Sequence, residues 1–208
     1  MSVSHDQFDK TVDVLVVGTG CGGLTAALTA DISNPSEVLI IEKSHLIGGT
    51  SATSGGVIWI PENHLAKEKG SNDSLLEAKE YLKATIPSNE FNELLIDTYL
   101  DQGPKMVKFM EDNTDARYTS LEHYPDYFQD APGVKLGNRA LEPLPVSAAI
   151  LKDDVDNLHP SGPQTVVFGR YGVNFEESHA FTTQSPGWFG LFIKIFFSYW
   201  LDLSWRIK

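Results

Sequence analysis

A single cysteine, Cys21, among 208 residues excludes an internal disulfide and any cysteine-built metal cluster. Basic residues are scarce as well. Sixteen Lys and Arg against 28 Asp and Glu give a formal charge of -12, so no basic stripe exists to release counterions from a phosphate backbone. No nucleic-acid partner is expected, and the acidic surplus is read as a solubility feature. The first residues, Met1 to Lys10, are polar and lack the apolar centre of a secretory signal, so a cytoplasmic location is expected. Long hydrophobic runs are missing too: the most apolar stretch, Trp188 to Leu201, is interrupted by Lys194 and falls short of the ~20 residues of a spanning helix. No internal repeat is visible, and no metal ligand set is assigned. A hydrophobic fraction of 41% still allows a substantial core.

What is present is concentrated near the start. Val12-Asp13-Val14-Leu15-Val16-Val17 reads as a buried strand and leads into Gly18-Thr19-Gly20-Cys21-Gly22-Gly23, which contains the spacing G-x-G-x-x-G. An alanine-rich helical stretch follows from Leu24 to Ile32. Val38-Leu39-Ile40-Ile41 is a second strand with Glu42 at its end, 24 residues after Gly18. This order suits a dinucleotide. Gly18 permits a tight turn, Gly20 lets backbone approach a pyrophosphate, and Gly23 allows helix to pack closely on strand. The helix start aims N–H groups at phosphates, with Cys21 and Gly22 in the loop as small residues. Glu42 can accept hydrogen bonds from ribose hydroxyls, with Lys43 beside it. The fold class expected is α/β, a Rossmann-like fold with a parallel sheet.

This unit runs from residue 1 to 61 with its loop, and three further segments lie beyond it. Asn34-Pro35 breaks the first helix. Gly48 to Pro61 is rich in Gly, Ser and Thr and reads as a functional loop. Residues 73–113 are helical: one helix over Leu75 to Thr85 capped by Asp73 or Ser74, a second from about Asn89 to Asp101, and a third after Gly103-Pro104 ending near Asn113. The stretch 118–164 holds six prolines without sustained periodicity and reads as an extended excursion over a surface. The aromatic segment 187–205 reads as a helix buried in a larger protein, or else one lying at a membrane surface.

Gly48-Gly49-Thr50-Ser51-Ala52-Thr53-Ser54-Gly55-Gly56-Val57-Ile58-Trp59-Ile60-Pro61 resembles a G-G-T-x-A-x-S-G-G-x-x-W-x-P stretch of flavoproteins related to fumarate reductase, and among them of the 3-ketosteroid 1-dehydrogenases. Tyr124-Pro125-Asp126-Tyr127-Phe128 is similar to that family's P-D-Y-F segment, and Tyr199 to Arg206 to its Y-x-L-D-x-x-W-R segment. The resemblance implies FAD, with Gly49, Thr50, Ser51, Ser54, Gly55 and Gly56 along the flavin. Thr50, Ser51 and Ser54 can donate hydrogen bonds to such a cofactor, and the glycine pairs allow backbone approach. Gly49 stands where succinate dehydrogenase flavoproteins carry the histidine that binds flavin covalently, so non-covalent FAD is implied; His45 is out of register.

The implied activity is 1,2-desaturation of a 3-ketosteroid by an FAD-dependent dehydrogenase. A base removes a proton beside the ketone while the neighbouring carbon gives a hydride to flavin N5. Tyr127 matches a tyrosine of the family's site that tunes the principal base, and it is the candidate catalytic residue. The base itself, and the groups gripping the ketone, belong to a C-terminal half not represented here. The chain is therefore expected to be an incomplete FAD-binding domain, lacking C-terminal strands and an inserted substrate domain, that needs the missing half or a complementary chain. The alternatives are a non-catalytic truncated flavin-binding module and a fumarate-reductase-like flavoprotein, although Arg117, Arg139 and Arg170 form no recognisable carboxylate-binding cluster. His123 and His179 are read as solvent-facing.

Overall fold

The computed structural model describes residues 8–33, 37–163, 165–167, 169 and 171–201. Asn34-Pro35, Arg170 and the end of the segment from Asp202 to Arg206 lie outside the described residues. The chain divides into two compact units, one of residues 1–54 with 148–162 and one of residues 55–147 with 163–208.

The first unit is built by the local signals at the start of the sequence. Strand β1 (Val14–Val17) and strand β2 (Val38–Ile41) pair in parallel from Val14 opposite Val38 to Val17 opposite Ile41, and helix α1 (Cys21–Ser33) connects them. A parallel pair requires such a crossover, and the α/β class expected from the sequence is what forms. Helix α2 (Gly49–Thr53) follows, so the glycine- and serine-rich stretch is not loop throughout. A 3₁₀ segment, Ala148–Asn157, brings its end to Ile47, which bridges to Leu158 in parallel. Ala27 is the one buried apolar residue described in this unit.

The second unit has a core. Helices α3 (His64–Glu68), α4 (Leu75–Thr85) and α5 (Glu93–Asn113) accompany an antiparallel sheet in the order β3 (Ile58–Trp59), β5 (Ala140–Pro143), β4 (Tyr118–Ser120). Ile60, Val107 and Leu141 form its centre, with Ile58, Leu65, Met106 and Tyr118 against them. A short hairpin, β6 (Val166–Val167) with β7 (Tyr171–Gly172), leads to helices α6 (Phe175–Thr183) and α7 (Trp188–Leu201).

One helix expectation is met and another needs correction. Ser74, not Asp73, caps α4: its hydroxyl oxygen accepts from the Glu77 N–H at 3.3 Å, and Asp73 is occupied elsewhere. The break expected at Gly103-Pro104 does not occur, and α5 runs unbroken across it. An interior proline costs about 3 kcal/mol. Against that, Leu100, Gly103, Val107 and Met110 form one buried stripe across the proline, and each large apolar side chain buried there returns roughly 1.5–3 kcal/mol. Packing therefore wins. Gly103 is part of the reason, since a Cβ there would approach Ile60 Cδ1 to 3.3 Å.

Candidate functional site

In the first unit the β1–α1 turn is set by its glycines. Gly18 has φ +98° and donates its N–H to the Ile41 carbonyl at 2.7 Å, locking the turn onto β2. A Cβ on Gly23 would sit 2.1 Å from the Gly18 carbonyl oxygen, so only glycine lets the helix start this close to the strand end. Gly18 and Gly22 have open space where a Cβ would project, and at Gly20 only Ser51 Oγ comes near, at 3.6 Å. The first turn of α1 leaves N–H groups without intrahelical partners, and of these the Cys21 N–H donates to Ser51 Oγ at 3.0 Å. An open glycine face at a helix N-terminus fits a pyrophosphate.

Glu42 closes the same turn. One carboxylate oxygen accepts from the Thr19 hydroxyl at 2.6 Å and the Thr19 N–H at 2.9 Å; the other accepts from the Ser44 N–H at 3.0 Å. The Thr19 hydroxyl oxygen in turn accepts from the Gly48 N–H at 2.9 Å, which ties the stretch before α2 to the turn. The Thr19 hydroxyl bond, then the Ser44 and Thr19 backbone bonds, hold the Glu42 carboxyl down to about 2 from 4.5. Glu42 is thus ionised and placed at the turn, with Lys43 exposed beside it.

The hydroxyl-rich helix α2 begins at Gly49, with Gly48 as its cap, and both glycines are at positive φ, +51° and +103°. Ser51 accepts from Cys21 and so keeps its own proton to donate; Thr50 is exposed; Ser54 donates to the Ser51 carbonyl at 3.2 Å. Gly55 and Gly56 fall in the second unit, where a Cβ on Gly56 would lie 2.8 Å from Pro143 Cγ. Of the histidines, His45, His123 and His179 are exposed, His179 with its ring stacked on Phe175 at a centroid distance of 6.1 Å. Arg117 donates to the carbonyls of Thr114 and Ala116, away from any site.

The second unit holds a cavity of about 380 Å³. Val57, Trp59 and Ala140 come from the sheet side, Tyr81, Leu82 and Thr85 from α4, and the segment Tyr124 to Phe128 completes the lining. Tyr127 stands at its edge, 82% exposed. A hydrogen bond with Tyr127, then burial, holds the Tyr124 phenol above its ordinary range.

Behind this wall lies a charge cluster that the sequence reading missed. Arg139, 1% exposed, donates to both carboxylate oxygens of Asp73, at 2.7 to 3.2 Å, and to Asp126 at 2.8 Å. The Trp59 indole N–H donates to the other Asp126 oxygen at 2.6 Å. The guanidinium carbon lies 5.4 Å from the Trp59 ring centroid and 5.9 Å from that of Tyr81. Trp59 and Asp126 each lie within a motif, but nothing in the spacing joins them to Arg139 or Asp73.

A family model described as FAD binding domain matches residues 13–152. The 4-oxocyclohexanecarboxylate 2-dehydrogenase of Sinomonas cyclohexanicum is 39% identical over 174 residues, 83% of this chain and 29% of that protein. The 3-oxosteroid 1-dehydrogenase of Mycolicibacterium smegmatis is 41% identical over 148 residues, 71% of this chain and 26% of that one. Among solved structures, the 3-ketosteroid delta1-dehydrogenase from Sterolibacterium denitrificans, in complex with 1,4-androstadiene-3,17-dione, matches with a TM-score of 0.87 at 39% identity, covering 95% of this chain and 34% of that one. The chain thus spans about a third or less of the length of these relatives.

Proposed function

The chain belongs to the FAD binding domain family, and on that premise we propose that it supplies the FAD-binding part, and one wall of the substrate pocket, of an oxidoreductase acting on a 3-ketosteroid. FAD bound without a covalent link would supply the hydride acceptor. Gly18, Gly20, Gly22 and Gly23 would take its pyrophosphate, Glu42 its ribose hydroxyls, and Thr50 and Ser51 further polar atoms. Tyr127, hydrogen-bonded with Tyr124 at the edge of the aromatic cavity, would tune a base that abstracts a proton beside the ketone.

The observation that carries the substrate class is the charge of the cavity wall. Two kinds of relative act on cyclic ketones, one a steroid and one a ring bearing a carboxylate. Among the described lining residues there is one carboxylate, Asp126, and no Lys, Arg or His. The nearby cation, Arg139, is already shared by two aspartates. A carboxylate ligand would enter unpaired and be repelled, whereas a neutral ring system finds apolar and aromatic surface.

Two partner proposals go with this reading. The aromatic face of α7 is open: only Ile195 is buried, and Phe189, Phe197 and Trp200 are at least half exposed. We assign that face to the remainder of a longer flavoprotein or a complementary chain. Attachment to a membrane surface is the second reading, favoured by the aromatic content of α7; no helix among the described residues is long and apolar enough to cross a membrane.

The test is a desalted sample of the chain, reconstituted with FAD, its visible spectrum recorded before and after heat denaturation. Tryptophan emission is then titrated with 1,4-androstadiene-3,17-dione and with 4-oxocyclohexanecarboxylate. Flavin released on denaturation, and quenching by the steroid alone, are the expected results. A chain that stays colourless, or prefers the carboxylate, overturns the proposal.

A further inference from the structure

The segment carrying Tyr127 is anchored on both sides of that residue, while the Tyr127 side chain, apart from its hydrogen bond with Tyr124, stands exposed. On one side, Asp126 is 5% exposed and all its bonding capacity is directed inward. One oxygen accepts from the Trp59 indole; the other accepts from Arg139 and from the Lys135 N–H at 2.9 Å. The Asp126 N–H donates back to the Lys135 carbonyl at 2.9 Å, so main chain and side chain grip the same residue. On the other side, the Phe128 N–H donates to the Tyr81 hydroxyl at 3.1 Å. Tyr81 and Trp59 are in ring contact, centroids 5.9 Å apart, and both lie against the Arg139 guanidinium. Residues 126 and 128 are thus fastened to one aromatic and cationic block. Tyr127, between them, is 82% exposed and lines the same cavity as Trp59, Tyr81, Asp126 and Phe128.

A packing role alone does not account for this arrangement. A buried charge cluster contributes little net stability compared with apolar residues of similar volume, and this unit already has an apolar core. What such a cluster does supply is direction, because hydrogen bonds and a planar guanidinium accept only a narrow range of geometry. We propose that Asp126, clamped by Arg139 and Trp59, is a positioning residue for Tyr127: it fixes the main chain so that the Tyr127 phenol is presented to the ligand in one orientation. The inference rests on the reading above that Tyr127 faces the substrate. Its effect is on the placement of a reacting group, where misplacement by about 1 Å costs on the order of a hundredfold in rate.

The experiment places 3-fluorotyrosine at position 127 of the full chain and records its ¹⁹F spectrum in the parent, in Asp126→Asn and in Tyr81→Phe. Far-UV circular dichroism is recorded for each, and 1,4-androstadiene-3,17-dione is titrated into each. One narrow resonance is expected in the parent. Asp126→Asn broadens it or splits it at unchanged circular dichroism and weakens steroid binding about tenfold or more. Tyr81→Phe, which removes only the acceptor for the Phe128 N–H, gives the same change to a smaller degree. A resonance unaltered in both variants overturns the positioning role. If Asp126→Asn does not fold, Tyr81→Phe and Trp59→Phe decide the matter by the same readout. Tyr127→Phe separates the two readings. If it leaves steroid affinity unchanged while Asp126→Asn disturbs the resonance, the functional reading falls and the positioning role stands. If it weakens affinity while the resonance ignores Asp126→Asn, the positioning role falls and the functional reading stands.

Discussion

The two units place their polar groups by opposite means. In the first, Thr19, Glu42, Ser44 and Gly48 bond within a turn and the strand ends beside it, with almost no apolar burial behind them. In the second, Asp73, Asp126 and Arg139 are brought together from distant positions and sealed behind a core containing Ile60, Val107 and Leu141. A two-stranded sheet with one buried alanine is marginal alone. The difference teaches that a site can be specified without being internally supported. The glycine turn has a shape that suits a pyrophosphate but little packing of its own, whereas the cavity wall is backed by the charge cluster and core of its own unit.

The largest effect that would break this comparison is in the charge cluster. Arg139→Met leaves Asp73 and Asp126 buried without their shared cation, and removing one partner of a buried pair costs about 3–5 kcal/mol. Trp59, Trp188 and Trp200 all lie in the second unit, and the first has no tryptophan. Tryptophan emission in a denaturant titration therefore reads the second unit, and its midpoint should fall sharply. A midpoint within error of the parent would mean that the cluster is not what holds this wall.

The next effect belongs to the first unit. Gly23→Ala puts a methyl 2.1 Å from the Gly18 carbonyl oxygen, and the turn must open to admit it, at about 1–3 kcal/mol. Retention of FAD after desalting should be lost while tryptophan emission stays that of the parent. Loss of both signals together would show that the two units do not respond separately.

The same contrast explains what could be read in the sequence. The β1–α1–β2 order, the Gly18 turn and the acid at the end of β2 are set by neighbours within about 30 positions, so residue pattern and spacing suffice. Helix α4 was legible to its ends for the same reason, with a serine cap and helical periodicity. The continuity of α5 was not, because Gly103-Pro104 is a local stop signal outweighed by the buried stripe of Leu100, Val107 and Met110. The antiparallel sheet was not legible either: Trp59 pairs with Ala140, and Arg139 meets Asp73 across 66 positions. Charge and hydropathy patterns carry no record of such pairings. A buried arginine is visible only once its two acids are seen around it.

A smaller effect tests whether the turn depends on ionised Glu42. Its carboxyl is held down at about 2, against 4.5, by hydrogen bonds from Thr19 and Ser44. A lowered carboxyl contributes stability that is complete above pH 4.5 and is lost as pH falls through about 2. Protection of the Thr19 and Gly48 amides, taken against their intrinsic exchange rates at each pH, should therefore fall across that window in the parent. In Glu42→Gln the protection should already be low at pH 6 and show no such step. An identical step in both proteins would assign the acid sensitivity to another group.

The smallest effect bears most directly on whether the first unit is bare. Leu15 and Val17 on β1 are 55% and 76% exposed, so Leu15→Thr and Val17→Thr remove apolar surface that is largely in water already. Such changes stay within about 0.5 kcal/mol, in contrast to the charge-cluster variant in the second unit. Amide exchange along β1 is the measurement, since no tryptophan reports there. Equal protection in parent and variants means that this strand face has no cover in solution and that the turn stands on its hydrogen bonds. A loss of protection corresponding to more than about 1 kcal/mol means that these side chains are buried in solution by something they pack against, because only burial gives a leucine or valine methyl group that much to lose.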